Sequence, residues 1–306
     1  MTFMIRRALV LVPLLLVVSA VCFLLLYLVP GDPVRTVLGP DVSPEDIEAY
    51  RHELGLDRPL ATQFLNFLAR IIRGDLGTSI YWRMPVAQLL AARIPATIEL
   101  ALAAFLWAMT VGIMTGVISA LRRDTAADLT STTVAVLGMS VPIFWLGLML
   151  MLVFSVELRW LPTTGREGLR HLILPAVTLG ARATALISRM TRSAVLEVVS
   201  MDYVRTARAK GLSERVVVYK HVLRNALIPV VTIMGLQLGQ LLGGAVVTET
   251  VFAWPGIGKL IVDAVKNRDF PVVQAGVLFM ASVFVLINML VDFTYGLIDP
   301  RIRVKS

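Results

Sequence analysis

The chain has 306 residues, 57% of them apolar and 16% charged, with a mean hydropathy of +0.78 and a net charge of +8. A soluble domain carries about 25% charged residues, so this composition excludes an ordinary soluble protein and predicts an all-α polytopic membrane protein forming a single domain, 1–306. The basic residues lie between apolar spans, which argues against nucleic-acid binding, and the single cysteine, Cys22, excludes an intrachain disulfide.

Arg6 and Arg7 precede an apolar run over 8–29. That run exceeds the roughly 7–15 residues of a signal-peptide core, and it stays apolar past Val18-Ser19-Ala20, so an uncleaved first span is expected. Val21 is too bulky for a lipoprotein site at Cys22. A helix needs about 20 apolar residues to cross the hydrocarbon core, and six segments qualify: 8–29, 96–120, 131–155, 172–190, 226–247 and 272–296. They are read as helices because unpaired backbone groups are too costly in lipid. With the N-terminus in the cytoplasm, the inner segments hold fifteen Lys and Arg and the two short outer loops hold six. That asymmetry places both termini and 191–225 on the cytoplasmic side.

The outer loop 30–94 is expected to fold into an external helical cap. Ser43 offers an N-cap, Pro44 a first helical residue and Glu45 and Asp46 a first acidic turn, with Gly55 to end that helix. Pro59 starts a second helix, with Leu60, Phe64, Phe67, Leu68 and Ile71 on one face and Gly74 after it. Pro85 starts a third, leading into span two.

Within the spans, Gly112, Gly116 and Ala120 recur every fourth residue, as do Gly235, Gly239 and Gly243, with Gly244 adjoining. This spacing aligns small residues on one helix face, where backbones approach closely. Gly235, Gly239 and Gly243, flanked by Gln237 and Gln240, are candidates for a translocation path or a helix interface. Pro142, Pro175 and Pro229 each remove a helical hydrogen bond and allow a kink. Arg182 is the sharpest charge within a span. At a helix centre it costs about 2.5–3.5 kcal/mol, so it faces a pathway or a partner, unless span four ends early and the side chain snorkels inward. Glu99, Arg189 and Asp292 lie near span ends and read as interfacial.

Residues 255–260, PGIGKL, imitate a phosphate-binding loop. Ala253 stands where its first glycine is required, and Leu260 where a hydroxyl residue is required, so a tight turn before a short helix is expected. His52, His171 and His221 fall in three different loops, and no catalytic or metal-binding arrangement is apparent.

The stretch 202–226, DYVRTARAKGLSERVVVYKHVLRNA, holds six Lys and Arg. Arg208 and Lys210 suit a helix C-terminus. Gly211 suits the left-handed position after it, with Leu212 as the following hydrophobic contact. Ser213 suits an N-cap, with Glu214 at the positive end of a second helix whose Val216, Tyr219, Val222 and Leu223 share a face. A topological anchor on anionic lipid needs only scattered charge. A helix–glycine–helix hairpin is more structure than that, and it implies docking on a cytosolic partner.

Several blocks carry a resemblance. "DYVRTARAKGLSE" (202–214), "LRNALIPVVT" (223–232), "VPGDPV" (29–34), "LGLDRPL" (54–60), "GDLGTS" (74–79), "VPIFWLG" (141–147), "LPTTG" (161–165), "GGAVVTETVFAWPGIGKL" (243–260) and "DPRIR" (299–303) resemble the binding-protein-dependent ABC importer permeases of the dipeptide/oligopeptide/nickel group. The resemblance covers nearly the whole chain. It implies a six-helix type I importer permease fold in the inner membrane of a bacterium or archaeon. It also implies a second homologous permease, two ATPase subunits that carry ATP and Mg, and an external solute-binding protein. The coupling element would be Thr206, Ala207, Arg208, Ala209, Lys210, Gly211, Leu212 and Ser213, inserted into a groove on the ATPase. The general family pattern opens this loop with Glu-Ala-Ala. Thr206-Ala207-Arg208-Ala209-Lys210-Gly211 replaces that opening, so the role of the glutamate does not transfer. "FSVELRWLPTTG" (154–165) and "MGLQLGQLLGG" (234–244) are most similar to glutathione or dipeptide permeases. Nickel is less favoured for want of a His, Cys or Met cluster. A stand-alone channel or secondary transporter would need no ATPase, and a membrane enzyme would need a catalytic constellation.

Overall fold

A computed structural model describes residues 13–24, 42–53 and 57–298. The remainder of the first predicted span, Gly55 and the blocks at 29–34 and 299–303 lie outside them. The described residues form α-helices and helical turns, with one isolated bridge between Thr78 and Pro85. The helices are α1 (Pro13–Leu24), α2 (Pro44–Glu53), α3 (Leu60–Ile72), α4 (Val86–Leu121), α5 (Ala126–Ser140), α6 (Ile143–Met151), α7 (Leu169–Val199), α8 (Asp202–Ala209), α9 (Glu214–Val216), α10 (Leu223–Val251), α11 (Ile257–Lys266) and α12 (Phe270–Ile298).

Among the described residues four helices are long and apolar enough to cross a membrane: α4, α7, Phe270–Val291 of α12 and the run Glu214–Val251. The third predicted span, 131–155, is not one straight helix. Ala126–Ser140 and Ile143–Glu157 together are apolar enough to span, but they meet at a bend of 113°. Pro142 sits in the break with extended backbone. Its ring disfavours helical backbone at Val141 and supplies no N–H for the ladder. Pro175 and Pro229, by contrast, lie inside continuous helices.

The chain divides into two compact units. Among the described residues the first comprises 13–24, 42–53, 57–95 and 256–286. Its core joins Val86 and Leu90 to Ile257, Leu260, Ala264, Val272 and Ala275. Here the helices expected at 43–53 and 59–72 form, and the Ser43 hydroxyl accepts the Asp46 amide at 3.1 Å. The buried Asp269 carboxylate accepts the Ser79 hydroxyl at 2.5 Å and the Tyr81 amide at 3.1 Å, which fixes the loop before α4. The nucleotide-loop imitation is a turn opening the ten-residue helix α11, whose Lys259 pairs with Asp263 one turn on.

Among the described residues the second unit comprises 96–255 and 287–298, and α7 is its axis. Ala96, Leu100, Ala104, Ala108, Gly112, Gly116 and Ala120, each four residues from the last, are all buried along α4. Gly180 of α7 lies so close that a Cβ there would stand 2.7 Å from the Ala104 carbonyl oxygen. A Cβ on Gly116 would stand 2.5 Å from the Ser188 carbonyl oxygen. Larger side chains such as Ile98, Leu102 and Leu106 point outward. This inversion of the soluble pattern follows from the solvent: lipid tails are as apolar as leucine, so helices associate through close contact of small residues. Asp128 of α5 is buried under a bidentate pair with Arg192 of α7, with both contacts at 2.7 Å, and it also accepts from the Ser119 hydroxyl.

Candidate functional site

The basic stretch folds as a helical hairpin. In α8, Val204 and Ala207 are buried, while Arg205, Thr206, Arg208 and Ala209, with Lys210 just after the helix, face solvent. Val204 joins the buried Val217 and Val222 of the following segment in the core. Burying each of these valines contributes about 1.5–3 kcal/mol. The chain reverses at Gly211, whose φ of +78° puts it in the left-handed region as expected, and its amide bonds to the Arg208 carbonyl.

Ser213 occupies the N-cap position of α9, but its hydroxyl makes no capping bond. The link across the turn is instead an ion pair: the Arg208 guanidinium donates to both Glu214 oxygens, at 2.7 and 3.1 Å. Arg208 holds the Glu214 carboxyl below its ordinary value, and Glu214 raises that of Arg208. The Tyr203 hydroxyl donates to the His221 carbonyl at 3.3 Å and accepts from the Asn225 amide at 2.8 Å, joining the two arms a second time.

The expected face of the second arm holds at one end only: Val222 is buried and Leu223 packs against the core, while Val216 and Tyr219 do not. Val217, Val218 and Val222 are buried, whereas Val216 and Tyr219 are exposed. Residues Val217–Val222 form a π-helical turn, which accommodates one extra residue and so shifts the inward face. The arm then runs without interruption into α10.

Arg182, Gln237 and Gln240 are brought together, although 54 residues separate the first two in sequence. They line one cavity of about 600 Å³ in the second unit, walled by α7, α10 and the break between α5 and α6. The helix α7 continues to Val199, with Arg182 near its middle. Among the described residues Arg182 has no ion pair or hydrogen bond, and neither glutamine amide has a hydrogen bond. Thr178 lines the same cavity with a buried hydroxyl that has no partner there.

The glycines of α10 divide. Gly239 is buried, and a Cβ there would stand 3.2 Å from the Asn288 amide, so it serves helix packing. Gly243 has nothing within 4 Å, and Gly235 is half-buried; neither lines the cavity.

Two arrangements escaped the sequence reading. Glu249 of α10 is fully buried and accepts the Thr97 hydroxyl at 2.7 Å, while the Trp254 indole donates to the Ala96 carbonyl at 2.8 Å. Arg166 pairs with Glu99 at 2.6 Å and lies 5.8 Å from the Trp254 ring centre. The only signal for either was a charged residue close to a span end.

Comparison with known proteins adds three findings. Residues 112–304 match the family model described as binding-protein-dependent transport system inner membrane component, and residues 1–101 match the model for its N-terminal region. The chain is 49% identical over 305 residues to the glutathione transport system permease protein GsiC of Escherichia coli O6:H1, and 48% identical to those of Escherichia coli K12 and Salmonella choleraesuis, with 100% of each chain covered. Its fold is similar to a chain of the inward-facing MetNI methionine ABC transporter, with a TM-score of 0.60 at 20% identity, covering 70% of this chain and 98% of that one.

Proposed function

The chain belongs to the family of binding-protein-dependent transport system inner membrane components, and from that premise we propose that it carries glutathione or a similar short peptide into the cytoplasm. It is a multi-pass inner-membrane permease subunit of an ABC importer, a transport component rather than an enzyme, and it works with ATPase and binding-protein partners. The finer assembly is one copy of this chain, a second homologous permease, two ATPases binding ATP and Mg, and an external solute-binding protein, with both termini cytoplasmic and lipid around the spans. Full-length similarity to glutathione permeases supports the substrate.

The observation that carries the mechanism is the hairpin at 202–222. Its inner faces are packed, its turn is closed by Arg208 and Glu214, and its basic outer face is exposed among the described residues. A rigid, exposed cationic element continuous with α10 can pass a push from a cytosolic ATPase into the membrane. ATP binding would close the ATPases, move this element and switch the pathway between outward and inward openings.

The test is Gly211→Pro in the complete importer. Proline cannot take the positive φ of this turn, so ATPase co-purification and ATP-dependent glutathione uptake are expected to fall together. Undiminished assembly and uptake would remove the coupling role.

A further inference from the structure

Arg182 is the thirteenth residue after Leu169 and the seventeenth before Val199. At 1.5 Å per residue it lies about 20 Å and about 26 Å from the two ends of α7. An arginine within a membrane span faces a cavity or a partner, and Arg182 lines a cavity with no acid among its described lining residues. Gln237 and Gln240 sit three residues apart on one face of α10 and line the same space, and Thr178 adds an unpartnered hydroxyl. The volume, about 600 Å³, falls within the usual range for small-molecule sites.

The chemistry of these groups is specific. A planar guanidinium takes a carboxylate through two parallel hydrogen bonds. Carboxamides both donate and accept, which matches the N–H and C=O of a peptide bond. A cavity lined by one arginine, two glutamines, Thr178 and Ser140, whose hydroxyl already bonds the Val136 carbonyl, suits an anion with peptide groups beside it. We propose that this cavity is a peptide-binding site of the permease itself, in which Arg182 takes the C-terminal carboxylate of the passing peptide and Gln237 and Gln240 bond its backbone. The assignment deepens the importer reading and rests on it: the permease selects for a carboxylate inside the membrane, in addition to any choice made by the binding protein.

The experiment uses the complete permease–ATPase complex in nanodiscs without binding protein. Two radiolabelled probes are compared, glutathione and dialanine, each as free acid and as the C-terminal amide. The wild-type complex is expected to bind at least one free acid about tenfold or more tightly than its amide, as charge-assisted hydrogen bonds imply. Arg182→Gln is expected to erase that preference, and Gln240→Leu to weaken acid and amide alike. No binding by the wild type, or an acid preference that survives Arg182→Gln, overturns the proposal. So does loss of the complex in Arg182→Gln, because the counter-charge would then belong to the partner subunit. Glutathione uptake measured separately with binding protein present keeps the readings apart. Uptake without nanodisc binding leaves the importer reading standing and removes the site. Dialanine binding without glutathione uptake keeps the site and changes the substrate.

Discussion

Arg208 and Glu214 show how a single pair closes the hairpin. Both side chains are partly exposed, at 38% and 59%, so screening limits the pair to about 0–1 kcal/mol. Because the folded Glu214 carboxyl titrates below its ordinary value, its contribution is present above the ordinary carboxylate range and is lost as the pH falls through the folded value. Glu214→Gln is therefore expected to lower thermal stability slightly at pH 7. The difference from the wild type should shrink towards pH 3, as followed by melting of the purified complex. A difference that stays constant over this range would mean that the carboxylate is not what stabilises the turn. The residue types of this pair were readable from the sequence, but each was assigned to its own helix end. Their meeting depends on the left-handed turn at Gly211, which sets the two ends face to face.

At the scale of the element, the contact of α4 with α7 depends on the absence of side chains. A methyl group on Gly116 has no room against Ser188 and Thr191 of the facing helix, and overpacking of this kind costs about 1–3 kcal/mol. Gly116→Ala is expected to lower the melting temperature and the yield of the chain in detergent. Gly243→Ala, with open space around it, is expected to leave both near wild type. Equal behaviour of the two variants would argue against this contact. The four-residue spacing on span two was visible in the sequence, and the structure extends it back to Ala96. Spacing alone did not distinguish the two spans: Gly116 packs tightly and Gly243 does not, because the difference lies in what stands opposite. The two helical elements misjudged from the sequence share one cause. Periodicity assumes an uninterrupted ladder, which Pro142 breaks in the third span and the π-helical turn at 217–222 re-phases in the hairpin.

For the whole molecule, the prediction concerns energy. The chain contains no phosphate-binding loop, so alone in liposomes it is expected to accumulate no glutathione against a gradient. Adding the second permease, the ATPases, the binding protein and Mg–ATP should produce uptake, measured by filter binding of the labelled peptide. Concentrative uptake by the chain alone would make it a secondary transporter and would overturn the ABC assignment.

The sequence by itself determined the class and the family. Apolar runs of about 20 residues, the basic asymmetry of the loops and the matching blocks are properties of local stretches, and local stretches are what a sequence displays. Arg182 was legible as an anomaly for the same reason: one charge in an apolar run is costly wherever the run goes. Only the tertiary structure decided what that arginine faces. Its cavity is made by α7, α10 and a break between two other helices, and helix packing, not chain order, brings them together. The buried Asp128–Arg192 and Thr97–Glu249 contacts were hidden for the same reason, since each partner looks like an ordinary loop or span-end residue until the helices pack.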